Sequence, residues 1–546
     1  MLKKILLYIN TVIHLKPIQI LGQLTKRYKL NSTYHGKINS SNIRKIHLFI
    51  SEVDEENGYL NRFNVEQILN NDICLLNEHH VLNLSNWKVN ASHLWRFNLH
   101  YFEYCIPLGV KYKSTGDIKY YEKFKSFVNS WITVHGVKDK DAWHPYTMSI
   151  RILVWLICID LFEEEFYSDL LFREKLYRSI YLQYRILQKR QETWQLGNHY
   201  LENLKTIVLC SLLFSEKNVY DKYMKKFLTE LNEEILDDGF HFELSPMYHR
   251  IIFEDLIRVG YVLQQLHLQE YGELKHYIQI MTNAMHSLEK GTERIPLFND
   301  SGEGVAKSKD SILLTVKKLF SIIPCEVPLY KAGYYKLYVQ NITVVFDAGV
   351  IGPMYMPGHG HCDCLSFELF YDGKPIFVNS GTYQYQGKLR NYFRATHAHN
   401  TVVINGHEQS EIWGEHRVAR RVSVLRSQQL SLCEVTAECM NYHGEKHKRS
   451  VKLKENCFEI IDETTGSGQV CSYLHLAPDL KYSNGKIQGA GVNITVSAIN
   501  TSVDVTESLY SPAFGVIEKN ICLVFTWNND KQKHGYLINF EEGEVS

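Results

Sequence analysis

The sequence predicts an α+β multidomain chain in which a mainly helical region precedes an all-β region. Three observations carry this. From about Ser92 to Leu319 apolar residues recur at helical spacing over segments too long for strands. Past Gly333 the segments shorten, fill with Val, Ile, Tyr, Phe and Thr, and are punctuated by Asp-Gly and Asn-Gly turns. A length of 546 residues exceeds one ordinary domain, at roughly 150 residues per domain.

Residues 1–85 are mixed and charged, without repeat or low-complexity tract, and carry no legible chemistry. They open with "MLKKILLYINTVIHLKP", two lysines ahead of an apolar run. Asn10, Thr11 and His14 interrupt that run and no small-residue cleavage site follows, so a cytoplasmic chain is expected, with periplasmic or secreted export the alternative. Residues 86–325 supply "RILVWLICIDLFEEEF", "LFREKLYRSIYLQYRILQKRQE", "NHYLENLKTIVLCSLLF", "DKYMKKFLTELNEEIL" and "RIIFEDLIRVGYVLQQLHLQEY". Short connections join them, so consecutive helices should pack as antiparallel hairpins. The strongest apolar run, from Ile152, is shorter than the ~20 residues of a spanning helix and contains Asp160, so no transmembrane segment is expected. The stretch "LFNDSGEGVAKSKD" reads as a connecting loop or the rim of a site. Residues 326–546 contain "YYKLYVQNITVVFDAG", "LSFELFYDGKPIFVNSG", "NTVVING", "VKLKENCFEIIDETTG" and "VNITVSAIN", the pattern of a sandwich or curved double sheet.

Composition narrows the partners. Sixty Lys plus Arg balance sixty Asp plus Glu, so no global field recruits nucleic acid or an anionic membrane, and a polyanion must be met locally. The 35 tyrosines, 25 phenylalanines and 8 tryptophans suit a sugar or peptide groove, although aromatics also fill cores. Twelve cysteines without a Cys-x-x-Cys pair read as reduced thiols. Oligomeric state leaves no trace in the pattern.

Three polar clusters stand out. In "LGNHYLENLK", Asn198 and His199 begin an apolar helix, with Glu202 and Asn203 one turn on. In "ELSPMYHR", Ser245 and Pro246 have the types of a helix cap and first residue, placing Tyr248 in the first turn, where the positive helix end favours a phenolate. Capping and core packing are the plainer readings of the same residues. In "PGHGHCDCLSFEL", a strand period puts His359, His361 and Asp363 on one face with Leu365 and Phe367, so three titratable groups lead a core face, as at a cleft or a strand end reaching solvent. Downstream, "RNYFRATHAHNTVVING" adds Arg390, Arg394, His397 and His399, and two histidines with an oxygen ligand suit zinc with an open position.

Taken together, "LWRFNLHYFEY", "WHPYTMSIRI", "GNHYLEN", "ELSPMYH", "FNDSGEG", "PGHGHCDCLSFEL" and "RATHAHNTVVING" resemble the heparinase II/III family of polysaccharide lyases, from about Asn86 through Arg421. Within it the chain most resembles the bacterial branch associated with polysaccharide biosynthesis. The resemblance implies an incomplete (α/α) toroid followed by an antiparallel β-sandwich. It implies β-elimination on a uronate-containing acidic polysaccharide, with Tyr248 as the catalytic tyrosine acting as base, acid or both, Asn198 and His199 beside the substrate carboxylate, and His359 as a second active-site histidine and the alternative proton carrier. It makes His361 and His399 zinc ligands. The family's third ligand, an aspartate, is replaced by Asn379 in "FVNSGTY", so the site is expected to bind zinc weakly, to stand empty, or to be rescued by Asp363.

Arg96, Arg151, Arg390 and Arg394, with Glu202, are the candidate substrate-binding residues, although a salt bridge is the plainer role of each arginine. Two other functions fit the pattern. A glycoside hydrolase would pair Glu202 with Asp363 or Asp300 across the bond. A non-catalytic glycan-binding protein of polysaccharide biosynthesis would bind without turnover.

Overall fold

The computed structural model describes residues 2–37, 42–55, 62–530 and 532–541. Helices form where the apolar period coincides with a start signal. Ser92, Asp169, Ser245 and Ser308 each accept a first-turn N–H, and Pro145 and Pro246 occupy first helical positions. The helices Pro145–Leu161 and Gly197–Leu213 are buried nearly all round, which explains their weak amphipathicity, and they pack on each other at the centre of the helical region. Leu170–Arg190, Lys217–Glu234 and Pro246–Gln265 pack against Gly197–Leu213, and Tyr271–Glu289 packs on Pro246–Gln265.

The β region contains three main antiparallel sheets. Tyr334–Val339, Ile342–Asp347, Phe367–Tyr371 and Lys374–Phe377 form a four-stranded meander. An eight-stranded sheet runs in the order Ser423–Ser431, Glu434–Met440, Lys446–Lys454, Cys457–Thr464, His534–Glu541, Val492–Ile499, Lys486–Gly489 and Lys481–Ser483. A second four-stranded sheet is ordered Ser502–Tyr510, Glu518–Asn528, Gln469–His475 and Val402–Ile404. Their inner faces share one apolar core, with Phe367 against Phe458 at 5.1 Å and Phe525 stacked on Tyr536 at 4.1 Å between ring centroids. Met247 and Tyr248, at the start of a helix, belong to this sandwich core, so the junction between the two regions is itself packed.

The expected strand through His359, His361 and Asp363 does not form. The strand begins only at Phe367, and residues 357–366 are a loop. Non-local bonds hold it: His361 N–H to the Asn299 side chain, Cys362 N–H to Arg394 O, and Cys364 N–H to the Gln409 side chain. A turn closes it, with Ser366 N–H donating to Asp363 O and Leu365 at φ 61°, a conformation costly for a branched side chain that persists because both flanks are pinned.

Candidate active site

Tyr248 is placed by its helix start. Its N–H donates to Ser245 Oγ at 3.2 Å, and that hydroxyl donates to Asp300 O at 2.7 Å, tying the helix to the loop 299–301. The Tyr248 hydroxyl lies 2.8 Å from the Tyr385 hydroxyl, and its ring centroid is 4.0 Å from that of His359. The expected phenolate does not arise: burial pushes the Tyr248 phenol well above its ordinary value, outweighing the partial positive charge of the helix end. Tyr248 is held as a neutral phenol.

Asp300 is the hub beneath it. Its carboxylate accepts from His359 Nδ1 at 2.9 Å, His361 Nε2 at 2.9 Å, and both terminal nitrogens of Arg390. Burial opposes its charge, but Arg390 and the two histidines hold the carboxyl well below the usual range. Because Nδ1 of His359 is committed to Asp300, Nε2 is the nitrogen able to exchange a proton; the nearest acid to it is Glu243 at 3.9 Å. Gly360, between the two histidines, admits no side chain, since a Cβ there would overlap the carbonyl of Ile351.

His199 sits on the opposite helix start, which begins at Gly197 with φ 58° where a Cβ would run into Met356 and Glu243. Its Nδ1 bonds Glu192 at 3.0 Å, its ring lies 4.3 Å from that of Tyr146, and Asn203 donates to the same carboxylate at 3.2 Å. Burial works against a charge on His199, but Glu192 more than offsets it and raises the imidazole above its ordinary value.

Tyr248, His359, His199, Tyr146, Tyr385, Tyr101 and His416 line one cleft of about 440 Å³ between the helical region and the sandwich. Its acidic wall is internally neutralised. Lys205 pairs Glu202 at 2.7 Å and also Asp255, while Arg258 pairs Asp54 at 2.6 Å and Glu254 at 2.6 Å.

The remaining expected site residues fall elsewhere. Asn198 lies under the cleft wall: its N–H donates to Glu243 at 3.3 Å and its side-chain oxygen is buried with no partner among the described residues. None of the four arginines lines the cleft. Arg96 pairs Asp141 at 2.8 Å; Arg151 is buried on Gln183 and His100 O; Arg390 is spent on Asp300; Arg394 donates to Gly360 O and Glu415 O. The buried guanidinium groups of Arg151, Arg390 and Arg394 are held beside fixed acceptors and do not face the cleft. Glu202 does line the cleft, bound to Lys205. Tyr385, Glu192, Glu243 and the hub role of Asp300 escaped the sequence reading; "FNDSGEG" and "SGTYQYQ" held the only hints, as turn-rich segments carrying a polar residue.

The metal-ligating candidates include three that lie together. His361, Asp363 and His399 are buried, and one ligand atom of each lies within 4.8 Å of the others. His361 Nδ1 and His399 Nε2 have no hydrogen-bond partner among the described residues, because their other nitrogens are committed to Asp300 and, at 3.3 Å, to Asn379 Oδ1. Burial brings His361 down to about 4, which keeps its lone pair available, and pushes Asp363 up to about 6. Two neutral imidazoles and a carboxylate fit zinc. The Asn379 oxygen accepts from Ser366 Oγ at 2.7 Å and lies 3.3 Å from His399 Nδ1, so it orients that imidazole.

Two family profiles match, "Heparinase II/III N-terminus" over residues 26–325 and "Heparinase II/III-like, C-terminal" over residues 325–534. A heparin-sulfate lyase of Bacteroides stercoris is 23% identical over 454 residues, 71% of this chain and 64% of that protein. A heparin-sulfate lyase of Pedobacter heparinus is 23% identical over 362 residues, 59% of this chain and 54% of that one. The chain thus spans less than two thirds of the length of these relatives. Among solved structures, a crystal structure of heparinase III superposes with a TM-score of 0.70 at 17% identity, covering 96% of this chain and 90% of that one. A mutant of the heparan sulfate lyase HepC from Pedobacter heparinus gives 0.63 at 19% identity, covering 97% and 90%. The fold is accordingly an (α/α) toroid followed by an antiparallel β-sandwich.

Proposed function

The chain belongs to the heparinase II/III family, and on that premise we propose that it is a polysaccharide lyase cleaving a uronate-containing acidic glycan by β-elimination. The observation that carries this reading is the contact of the Tyr248 and His359 rings, 4.0 Å apart, in the wall of a cleft also lined by His199. The curated relatives named as heparin-sulfate lyases support an acidic glycan as the substrate class.

Elimination beside a uronate carboxylate requires three things: neutralisation of the carboxylate as charge builds on it, a base for the adjacent C–H, and an acid for the departing glycosidic oxygen. His199, raised by Glu192, supplies a cation for the first. His359 Nε2 takes the carbon-bound proton, the ring being held in place by Asp300 on Nδ1. The C–H pair becomes the new double bond, the C–O pair leaves with oxygen, and Tyr248 donates its hydroxyl proton to that oxygen. The Tyr248 phenolate then recovers a proton from the adjacent imidazolium, closing the cycle. Both groups sit on one side of the cleft, which suits syn elimination.

A zinc ion held by His361, Asp363 and His399 would supply positive charge that rigidifies the loop bearing His359. Glycoside hydrolysis is less well supported, because neither Asp300 nor Asp363 lines the cleft, and Glu202 and the neighbouring Asp255 are both bound to Lys205. The deciding experiment is a screen of the purified chain against uronate-containing polysaccharides, bacterial capsules and exopolysaccharides included. Growth of the ultraviolet absorbance of an unsaturated uronate is expected. New reducing ends without that absorbance would mean hydrolysis, and binding without cleavage would mean a glycan-binding protein.

A further inference from the structure

The two helices that open the chain are mounted inside out. In α1 (Leu2–Val12) and α2 (Pro17–Leu30), apolar residues recur at helical spacing, which in a soluble domain marks the face turned to the core. Here it is the polar and small face of α2 that docks. Gly22 lies so close to the Thr193–Trp194 backbone that a Cβ would overlap it, Gln19 donates to Gln195 O at 3.0 Å and Tyr355 O at 3.3 Å, and Lys29 donates to Thr193 Oγ1 at 2.6 Å. Helix α1 is held likewise through Thr11, whose hydroxyl accepts from Trp413 Nε1 at 3.0 Å.

The apolar stripe is left outside. Leu21, Leu24 and Tyr28, at i, i+3 and i+7, are 62%, 79% and 81% exposed, and Ile13 in the connection is 66% exposed. Of the 27 large hydrophobic side chains exposed among the described residues, 11 fall between Ile5 and Tyr28, so this is one contiguous feature and not the scatter normal to a surface. Charge says what covers it. Residues 1–30 hold six Lys or Arg and no Asp or Glu, in a chain whose totals balance at sixty each. The exposed Arg27 borders the stripe on α2 and the exposed Lys4 lies on α1, the arrangement in which basic side chains reach headgroups while the apolar face enters the acyl boundary. Neither helix spans: they have 11 and 14 residues against the ~20 required, and the chain turns by 117° between them.

We propose that α1 and α2 form an interfacial anchor that seats this protein on an anionic lipid bilayer. Gln19 holds the carbonyls of Gln195 and Tyr355, and Gln195 and Met356 line the cleft, so the anchor is mounted directly behind the cleft wall. A protein docked this way works on glycan held near a membrane surface. The anchoring itself does not depend on which reaction the cleft performs.

Flotation of the full chain with vesicles tests this. Wild type is expected to rise with equimolar phosphatidylcholine and phosphatidylglycerol vesicles, to bind pure phosphatidylcholine far less, and to be released by salt of about 0.5 M. Leu21→Asp with Leu24→Asp should abolish flotation with an unchanged circular dichroism melt. Lys4→Glu with Arg27→Glu, both at exposed positions, should weaken binding at least ~10-fold, each lost charge being worth about fivefold. Three results would overturn the proposal. Wild type could stay unbound with the anionic vesicles. Light scattering without lipid could show a dimer that Leu24→Asp turns into a monomer, making a second copy the occupant. The chain isolated from its own cells could begin beyond Leu30, making the segment a removed leader.

Discussion

The hydroxyls of Tyr248 and Tyr385 lie 2.8 Å apart, and burial pushes both phenols above their ordinary values. One phenol therefore donates to the other, and neither is ionised at rest. In the proposed reaction Tyr248 is the proton donor, its hydroxyl oriented by Tyr385, whose ring also lies 5.9 Å from that of His359 and 5.2 Å from the Arg390 guanidinium.

Tyr248→Phe keeps the ring against His359 and removes the proton. On a substrate that wild type cleaves, kcat should fall at least ~100-fold with the melt unchanged. Tyr385→Phe removes only the orienting partner and should cost about tenfold. Near wild-type turnover in Tyr248→Phe would end its assignment as the acid.

His199 has its own pH signature. Its folded-state pKa is raised above the ordinary 6.5, so the stability gained from Glu192 is fully present below that value and is lost as pH rises through the raised pKa. Glu192 is lowered from 4.5, so its share is present above that value and lost as pH falls through the lowered one. The melting temperature of wild type minus that of His199→Gln should thus be greatest between about pH 4.5 and 6.5 and shrink above it. A difference that grows toward alkaline pH would contradict the pairing.

Asp300→Asn leaves Arg390 buried without its counter-charge, and loss of one partner from such a pair costs about 3–5 kcal/mol. Chemical denaturation should read that loss, and Asp300→Asn combined with Arg390→Gln should recover part of it. If the single variant is as stable as wild type, the hub is not what binds the loop 299–301 to the sandwich.

For the metal, elemental analysis after zinc addition and gel filtration is expected to show binding that Asp363→Asn and His399→Ala abolish. Zinc should raise the wild-type melting temperature, by mass action on the folded state, and leave both variants unmoved. Retention of zinc by Asp363→Asn would return the third ligand to Asn379.

Much of the fold was legible because its signals are local. A helical period sustained over "NHYLENLKTIVLCSLLF", or Ser245 and Pro246 ahead of Tyr248, acts within a few residues and needs no partner. The alternation in "GHGHCDCLSF" misled for the same reason. Two-residue spacing describes a strand only if neighbouring strands pair with it, and here Asn299, Arg394 and Gln409 take the backbone groups instead.

The sequence by itself determined which residue types were available to the site and the order of helical and β regions, since composition and period are properties of the chain. Only the tertiary structure decided which of them meet. Tyr385 reaches Tyr248 across 137 positions, Asp300 gathers His359, His361 and Arg390, and Asp363 lies with the imidazoles of His361 and His399. It also decided the electrostatics. A helix end that favours a phenolate in isolation is overruled once burial removes water from Tyr248, and four arginines suited to carboxylates are spent on internal acceptors. Desolvation and pairing depend on what the rest of the chain brings to a residue, and no spacing rule along the sequence contains that.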